Sequence, residues 1–235
     1  MIECSNCKTE IVNNYCPNCG QRFIGRKLKL KELFSDYWDN FFSVDKSLWL
    51  NFKLLLLKPG FIVQNYWAGF RNFFISPNKL LIISALFLGI NFIFYKDQFL
   101  GLKVSAQNFS AQLGFLVMVI PFLTISSYIT YLGFKRGLIE HLVLNMYSLG
   151  IWLIIFSVIS IAVSFFKLYV LLVPFKILFL LLIFTWNARA FKLSFLKSVL
   201  FTILNTIVFG IILAGIVFWM ISNQSPQNWF NIYKY

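Results

Sequence analysis

The sequence predicts an all-α polytopic membrane protein with about five transmembrane helices and a small zinc ribbon at its N-terminus. Three observations support this prediction. Hydrophobic residues make up 59% of the 235 residues, and charged residues only 12%. Apolar runs close to the ~20 residues needed to cross a bilayer recur through the C-terminal two thirds of the chain. All four cysteines form two CxxC pairs within the first 20 residues.

The composition changes twice along the chain and divides it into three zones. Residues 1–24 form a cysteine-rich module, residues 25–78 an amphipathic and aromatic segment, and residues 79–235 the transmembrane domain. The predicted spans cover residues 80–95, 113–133, 141–166, 168–187 and 198–221. Only Lys167 separates the third run from the fourth, so this region forms two full spans, a re-entrant pair, or one span fewer than the five predicted.

The middle zone predicts amphipathic interfacial helices. From Leu30 to Phe42 apolar residues recur about every 3.6 positions, and a second helix is predicted through Trp49 to Leu57, where Pro59-Gly60 ends it. Aromatic residues faced by lysines suit a helix that lies in the head-group plane of a membrane. The alternative is a helix packed on the protein's own transmembrane domain, and the two arrangements are compatible with each other.

The charge balance favours anionic lipid head groups over nucleic acid as a partner. The chain carries 21 basic and 8 acidic residues, and the basic residues lie beside the apolar runs. With five spans and a cytosolic N-terminus, 16 basic residues fall in cytosolic segments and four in outer segments, as the positive-inside rule requires. No apolar signal region precedes the cysteines. We therefore expect a multi-pass protein of the cytoplasmic (inner) membrane of a bacterium, with its N-terminus in the cytosol.

The cysteine spacing is typical of a tetrahedral metal site. Cys4 and Cys7 form one CxxC turn, and after eight residues Cys16 and Cys19 form the second, which Gly20 follows. Cytosolic thiols of this spacing predict structural zinc held by four thiolates, with an iron–sulfur or rubredoxin-like iron site as the alternative. Four ligands leave no open position for catalysis. A module of about 20 residues is too small to fold on a core, so the metal must stabilise it.

Ionisable residues in or near the predicted spans are candidate functional residues. Arg136 precedes Glu140 by four residues, so the two are predicted to form an ion pair at the start of a helix. His141, the only histidine, follows directly. Glu140 and His141 are read either as an interfacial ion pair with a helix cap or as a proton-sensitive pair that lines a cavity.

Further candidates lie inside the spans. Lys176 lies within the fourth span and is read as a cation that reaches the interface, as the mark of a different span boundary, or as part of a pathway or anion contact. Asn91, Asn145 and Asn205 are expected to form hydrogen bonds between helices. The pairs Ala85/Gly89 and Gly210/Ala214 have the four-residue spacing typical of close helix packing.

The chain is not expected to be an enzyme. Beyond residue 78, Asp97 and Glu140 are the only acidic residues, whereas metal-assisted phosphoryl or glycosyl transfer needs clustered carboxylates. The zinc-protease HExxH, the hydrolase GxSxG and the phosphate-binding P-loop are likewise absent from the sequence.

Several short motifs resemble an uncharacterised family of bacterial multi-span membrane proteins, a domain of unknown function. The matching residues are Cys16–Gln21, Leu57–Gly60, Tyr66, Gly69, Arg71, Pro77, Glu140–Val143 and Asn187–Phe191. In that family, an N-terminal ribbon is combined with an rPG…Y…G.R segment before the first span. The resemblance implies a membrane protein with no assigned activity and adds Arg71 to the candidate residues. Phe74 and Phe191 depart from the pattern, since the family tends to have Tyr at both positions.

Two functions follow from these observations. The first is a non-enzymatic adaptor or assembly factor, whose cytosolic zinc ribbon docks a partner protein. The alternative is a permease for small molecules or lipids, which with so few spans would work as a homo-oligomer. Convergence of Arg71, Glu140, His141 and Lys176 on one cavity would favour the permease, and their dispersal would favour the adaptor.

Overall fold

A computed structural model describes residues 2–4, 7–11, 15–20, 23, 30, 48–70, 74–94, 98–99, 102–103, 109–166 and 172–222. Its α-helices are α1 (Leu48–Leu57), α2 (Pro59–Trp67), α3 (Pro77–Phe94), α4 (Phe109–Thr130), α5 (Leu138–Phe165), α6 (Leu172–Ala190) and α7 (Phe195–Ser222). Two short antiparallel hairpins accompany them, β1 (Ile2–Glu3) with β2 (Glu10–Ile11) and β3 (Gln98–Phe99) with β4 (Leu102–Lys103).

The junction between α1 and α2 is set by Pro59. The first helix ends at Leu57, as the sequence predicts, because proline lacks the N–H that would continue it. Proline suits the first turn of a helix, and here it begins α2. The sequence interpretation missed α2. Most of this helix is buried, so it is an internal element of the bundle.

Helix α1 packs on the protein's own helices. Asn51 and Leu55, four residues apart, are buried, whereas Leu50 and Leu57 on the other side are exposed. Of the two predicted arrangements, α1 therefore shows packing on the protein's own helices. The amphipathic helix predicted from Leu30 to Phe42 lies outside the described residues except for Leu30.

Helix α5 is the centre of the bundle. Helices α3, α4 and α6 pack directly against it, and α7 packs on α4 and α6. A 3-10 helix, Leu132–Phe134, joins α4 to α5, and residues 191–194 join α6 to α7. These two turns contain Lys135 and Lys192, whose φ angles of 53° and 55° are left-handed. Helix α2 contacts both α5 and α6, close to these turns.

The five predicted spans each overlap one helix, α3 to α7, in the same order. Four helices begin three or four residues ahead of the predicted span, and α6 begins four residues after it. Region 141–187 forms two separate helices that pack against each other. The joint at Lys167 lies outside the described residues.

Two of the described helices are long and apolar enough to cross a membrane, judged by length and composition. They are α5, over Leu138–Val163, and α7, over Phe195–Trp219. Shorter apolar stretches occupy Pro77–Ile90, Met118–Thr130 and Leu178–Ala190. Only 17% of the α7 stretch is buried inside the protein, against 67% for α5. An apolar helix this exposed needs an apolar environment or a partner to cover it.

The expectation of close packing at Gly210 and Ala214 is wrong. Both residues are exposed, and a Cβ added at Gly210 would have no heavy atom within 4 Å. Close packing occurs instead at Gly150 on α5, where an added Cβ would lie 3.0 Å from Leu80 Cγ on α3. The spacing of small residues identifies a face that permits close approach, but it does not identify the face that meets another helix.

Candidate metal centre and polar cluster

The four cysteines converge on one point, as the sequence predicts. Their Sγ atoms all lie within 4.8 Å of one another. Cys7 Sγ lies 3.4 Å from Cys16 Sγ, and Cys4 Sγ lies 3.5 Å from Cys19 Sγ. The edge of a tetrahedron of zinc-bound sulfurs is about 3.8 Å, whereas a disulfide bond is about 2.05 Å long. All four cysteines are free, so they fit a closed ligand set for one metal ion.

The two CxxC turns have the same backbone geometry. The N–H of Lys8 donates to the carbonyl oxygen of Cys4 at 3.0 Å, and the N–H of Gly20 donates to that of Cys16 at 2.9 Å. Lys8 and Gly20 have φ angles of 62° and 68°. Gly20 adopts this left-handed angle without steric cost. Lys8 adopts the same angle at a cost that glycine avoids. Each turn thus directs a pair of sulfurs toward the other.

Thr9 stabilises the thiolate form of Cys7. Its hydroxyl lies 3.3 Å from Cys7 Sγ, within range to donate to a thiolate. Hydrogen bonds from the Thr9 hydroxyl and the Thr9 main chain, followed by those from Cys16 and Cys19, outweigh desolvation and lower the pKa of Cys7 to about 6. The thiolate is the form that binds metal, so this environment favours a ligand over a free thiol.

The cysteine module is seated on the helical domain through Phe70, which lies just after α2. Cys4, Cys16 and Ile11 are buried in a small core with Phe70. The ring of Phe23 packs on that of Phe70 at 5.2 Å between centroids, and the two residues also pair as an antiparallel bridge. The module therefore has one face held against the helical domain.

Other side chains of the module are open to solvent. Ile2 is 44% exposed and Tyr15 is 55% exposed, and Cys19 in the second CxxC turn is also exposed. We call Ile2 and Tyr15 the open face of the ribbon. Aromatic side chains such as that of Tyr15 are enriched at protein–protein interfaces.

Glu140 forms the predicted ion pair and helix cap. Its Oε1 accepts a hydrogen bond from Arg136 Nη1 at 3.2 Å, and its Oε2 accepts one from the N–H of Gly137 at 2.7 Å. Gly137 immediately precedes α5, so Glu140 satisfies a free N–H at the helix start. The Arg136 guanidinium lies 4.8 Å from the ring centroid of Trp67, which attaches α2 to the same corner.

His141 lies in different surroundings from Glu140. It is fully buried, and its Nδ1 lies 3.2 Å from Ser127 Oγ. The ring of Tyr131 stacks beside the imidazole, with 6.2 Å between the ring centroids, and the centroid of the Phe191 ring lies 5.9 Å from that of His141. Its Nε2 has no hydrogen-bond partner among the described residues. The side chains of Glu140 and His141 therefore do not form an acid–base pair, although they are adjacent in sequence.

Asn145 is the centre of a buried hydrogen-bond network. Its Nδ2 donates to Ser127 Oγ on α4 at 2.8 Å, and its Oδ1 accepts from Asn187 Nδ2 on α6 at 2.9 Å. Asn205 on α7 accepts from Ser126 Oγ on α4 at 2.6 Å. The interhelical bonds predicted for Asn145 and Asn205 are thus confirmed. Asn187 was not singled out as a bonding residue, because its partner becomes evident only once α5 and α6 are placed together.

The remaining candidate residues do not join this cluster within the described part of the chain. Arg71 lies outside the described residues, and so does the side chain of Lys176. Lys176 precedes Asn187 by 11 residues on α6. At 1.5 Å per residue, that separation is about 16 Å along the helix. The backbone therefore places Lys176 well away from the end of α6 that meets Asn145.

Two cavities are lined by other residues. One, of about 460 Å³, is almost wholly apolar and is lined by Phe52, Leu55, Leu80, Ile83 and Phe87, with Asn51 as its polar member. The other, of about 360 Å³, lies between the start of α2 and the end of α6 and contains Lys58, Arg189 and Lys192. Neither cavity is lined by Glu140 or His141. The cation-lined cavity was not anticipated, because its residues come from segments about 130 positions apart.

Comparison of the chain with family models, with curated proteins and with solved structures finds no match in any of the three. The resemblance to a family of uncharacterised membrane proteins therefore stays a prediction. Function is inferred below from the geometry of the cysteine centre and of the polar clusters.

Proposed function

We propose that this chain is an integral membrane protein of the bacterial inner membrane that acts as a non-enzymatic adaptor or assembly factor. In this role its metal-bound N-terminal ribbon docks a partner protein in the cytosol. The observation that carries the proposal is the two-faced cysteine module, which packs on Phe70 with one side and exposes Ile2 and Tyr15 elsewhere.

The arrangement of the polar residues supports an adaptor over a permease. Glu140 caps a helix, and His141 is enclosed by aromatic rings in the bundle interior. Neither the apolar cavity nor the cation-lined cavity contains either residue. Along the backbone of α6, Lys176 lies about 16 Å from Asn187, and the side chains of Glu140 and His141 lie in different surroundings, which supports the adaptor.

The distribution of exposed side chains supports placement in a membrane. Helix α7 exposes a continuous set of large apolar side chains, such as Ile203, Ile207 and Ile211, which suit contact with lipid. The turns and adjoining helix ends at the α2 end of the bundle carry five basic residues, namely Lys135, Arg136, Arg189, Lys192 and Lys197. This clustering favours a cytosolic location for that end and for the ribbon seated on it.

Zinc is the metal we propose for the ribbon. Four thiolates at tetrahedral spacing fill the coordination shell of zinc and leave no site for a substrate. The metal would hold the two CxxC turns together, since the described core of the module consists of little more than Cys4, Cys16, Ile11 and Phe70. Removing the metal should therefore disorder the docking face.

Site-specific photo-crosslinking in cells tests the adaptor role. A photoreactive residue is placed at Tyr15 on the open face of the ribbon, and in a separate chain at Leu196, which is 82% exposed at the same end of the bundle. We expect a discrete protein adduct from position 15 and none from position 196. The adduct should disappear when Cys4→Ser and Cys7→Ser are added.

Two outcomes would contradict the proposal. One is the absence of any protein adduct at position 15 in membranes where the chain is folded. The other is an adduct that survives loss of the cysteines, because a docking face made by the metal centre cannot persist without it. The variant Ile2→Glu, which leaves all four cysteines in place, should weaken the adduct while metal content stays unchanged.

A further inference from the structure

The cavity between α2 and α6 is formed by the close approach of two helix ends. A Cβ added at Gly60, the second residue of α2, would lie 3.0 Å from the carbonyl oxygen of Ala190, the last residue of α6. The side chain of Gln64 donates to that same oxygen at 3.1 Å. The two helix ends are thus fixed to each other, and the cavity beside them has a defined shape.

Three cations line this cavity, and none of the carboxylates in the described part of the chain pairs with them. Lys58 comes from the residue before α2, whereas Arg189 and Lys192 come from the end of α6 and the turn after it. All three side chains are exposed. Three positive charges that line one cavity create a potential that favours a bound anion.

The side-chain cations, and not the helix dipoles, decide the sign of this potential. The start of α2 contributes a partial positive charge, but the end of α6 contributes a partial negative charge of similar size next to it. These contributions largely cancel because Gly60 and Ala190 are in contact. The lysine and arginine charges remain.

The rest of the cavity and its surroundings are apolar. The lining beside the cations is completed by Leu57, Pro59, Gly60, Phe61 and Leu193. Leu57 is 60% exposed, and Phe195 and Leu196, which follow shortly after in the chain, are 83% and 82% exposed. A ligand that fits both parts carries an anionic group attached to an apolar body. A free inorganic anion would leave this apolar rim uncovered.

We propose that Lys58, Arg189 and Lys192 form a binding site for the phosphate of an anionic phospholipid, with its acyl chains lying along the exposed apolar residues beside the cavity. The guanidinium of Arg189 would grip two phosphate oxygens, and the two lysines would add charge from either side. This site rests on the proposed membrane location of the α2 end, but it is independent of any partner of the ribbon.

Native mass spectrometry of the full chain in mixed micelles tests the site. The protein is titrated with phosphatidylglycerol, and in parallel with phosphatidylcholine, which has the same acyl body but no net charge. We expect retention of phosphatidylglycerol in preference to phosphatidylcholine. The triple variant Lys58→Gln, Arg189→Gln and Lys192→Gln should bind phosphatidylglycerol about 100-fold more weakly.

A matched triple variant separates a site from general charge. Lys53→Gln, Lys135→Gln and Lys197→Gln remove the same number of exposed charges but leave the cavity intact. We expect this control to change the affinity by less than about threefold. Equal losses in the two triple variants, or equal retention of the two lipids by the wild type, would overturn the proposal.

Two further arms distinguish a lipid site from a free-anion site and from a folding defect. Inorganic phosphate added in large excess should leave phosphatidylglycerol bound, and its displacement would indicate a free-anion site instead of a lipid site. Helical content and thermal unfolding check that the triple variant is folded. If it is not, the single variants Lys58→Gln and Lys192→Gln replace it, each with an expected loss of about fivefold. Unchanged binding in both would overturn the proposal, whatever the crosslinking at Tyr15 shows.

Discussion

The indole Nε1 of Trp67 donates a hydrogen bond to the main-chain oxygen of Glu140 at 3.0 Å, and this bond joins α2 to the first turn of α5. From the same helix, Gln64 reaches the last residue of α6. Helix α2 therefore links the two turns at one end of the bundle. The ribbon is seated at the end of this same helix, through Phe70. Changes in α2 should consequently affect both the bundle and the ribbon.

The first prediction concerns the Trp67 hydrogen bond. Trp67→Phe keeps an aromatic ring but removes the donor, and it should lower the free energy of unfolding by about 1 kcal/mol. The matched control is Trp152→Phe, because the Nε1 of Trp152 is buried without a hydrogen-bond partner among the described residues. Thermal unfolding in detergent measures both. An equal loss in the two variants would show that the lost ring volume, and not the hydrogen bond, causes the destabilisation.

The second prediction concerns Gly60. Gly60→Ala would place a methyl group 3.0 Å from the Ala190 oxygen and 3.0 Å from Lys192 Cγ. Since that oxygen belongs to the backbone, α2 and α6 must separate, and we expect a loss of about 1–3 kcal/mol in unfolding free energy. Gly215→Ala, where an added Cβ meets nothing within 4 Å, should be neutral or slightly stabilising. A neutral Gly60→Ala would contradict the close approach of the two helices.

The third prediction concerns the buried amide pair. Asn145 and Asn187 share a 2.9 Å hydrogen bond between α5 and α6. A double-mutant cycle with Asn145→Ala and Asn187→Ala should give a coupling energy of about 0.6 kcal/mol, the average for hydrogen bonds between membrane helices, and at most about 1.7 kcal/mol. Stability of the four proteins is measured by denaturant titration in one detergent. Additive losses would show that the two amides act independently.

The fourth prediction concerns the seat of the ribbon. Phe70→Ala removes the ring that packs on Phe23 and covers Cys4 and Cys16, while it leaves all four ligands in place. We expect a chelator to remove the metal faster, whereas the thermal unfolding of the helices stays close to that of the wild type. Phe165→Ala, at a side chain that is 83% exposed, is the control and should change neither quantity. Metal release at the wild-type rate from the Phe70 variant would count against the seated arrangement.

Features encoded locally were predictable from the sequence. The cysteine spacing predicted the convergence of the four sulfurs, and the four-residue interval predicted the Arg136–Glu140 pair. The apolar runs located α3 to α7 to within a few residues. In each case the signal is a short repeat or interval that the geometry of a turn or helix converts directly into proximity.

Features that depend on which faces meet were not predictable. Pro59 ends α1, but the buried helix that it begins depends on contacts with both α5 and α6. Gly210 and Ala214 have the right spacing for close packing and face outward. The cavity with Lys58 and Arg189 joins distant segments, which spacing along one chain cannot reveal.

The metal content of the purified chain decides whether the four cysteines form a zinc centre. Inductively coupled plasma mass spectrometry should find about one zinc ion per wild-type chain and almost none in the Cys4→Ser, Cys7→Ser variant. The control variant Ile2→Glu should retain the wild-type amount, since Ile2 is exposed and is not a ligand. A wild-type chain without bound metal, or a zinc content unchanged by loss of the two cysteines, would contradict a metal-stapled ribbon.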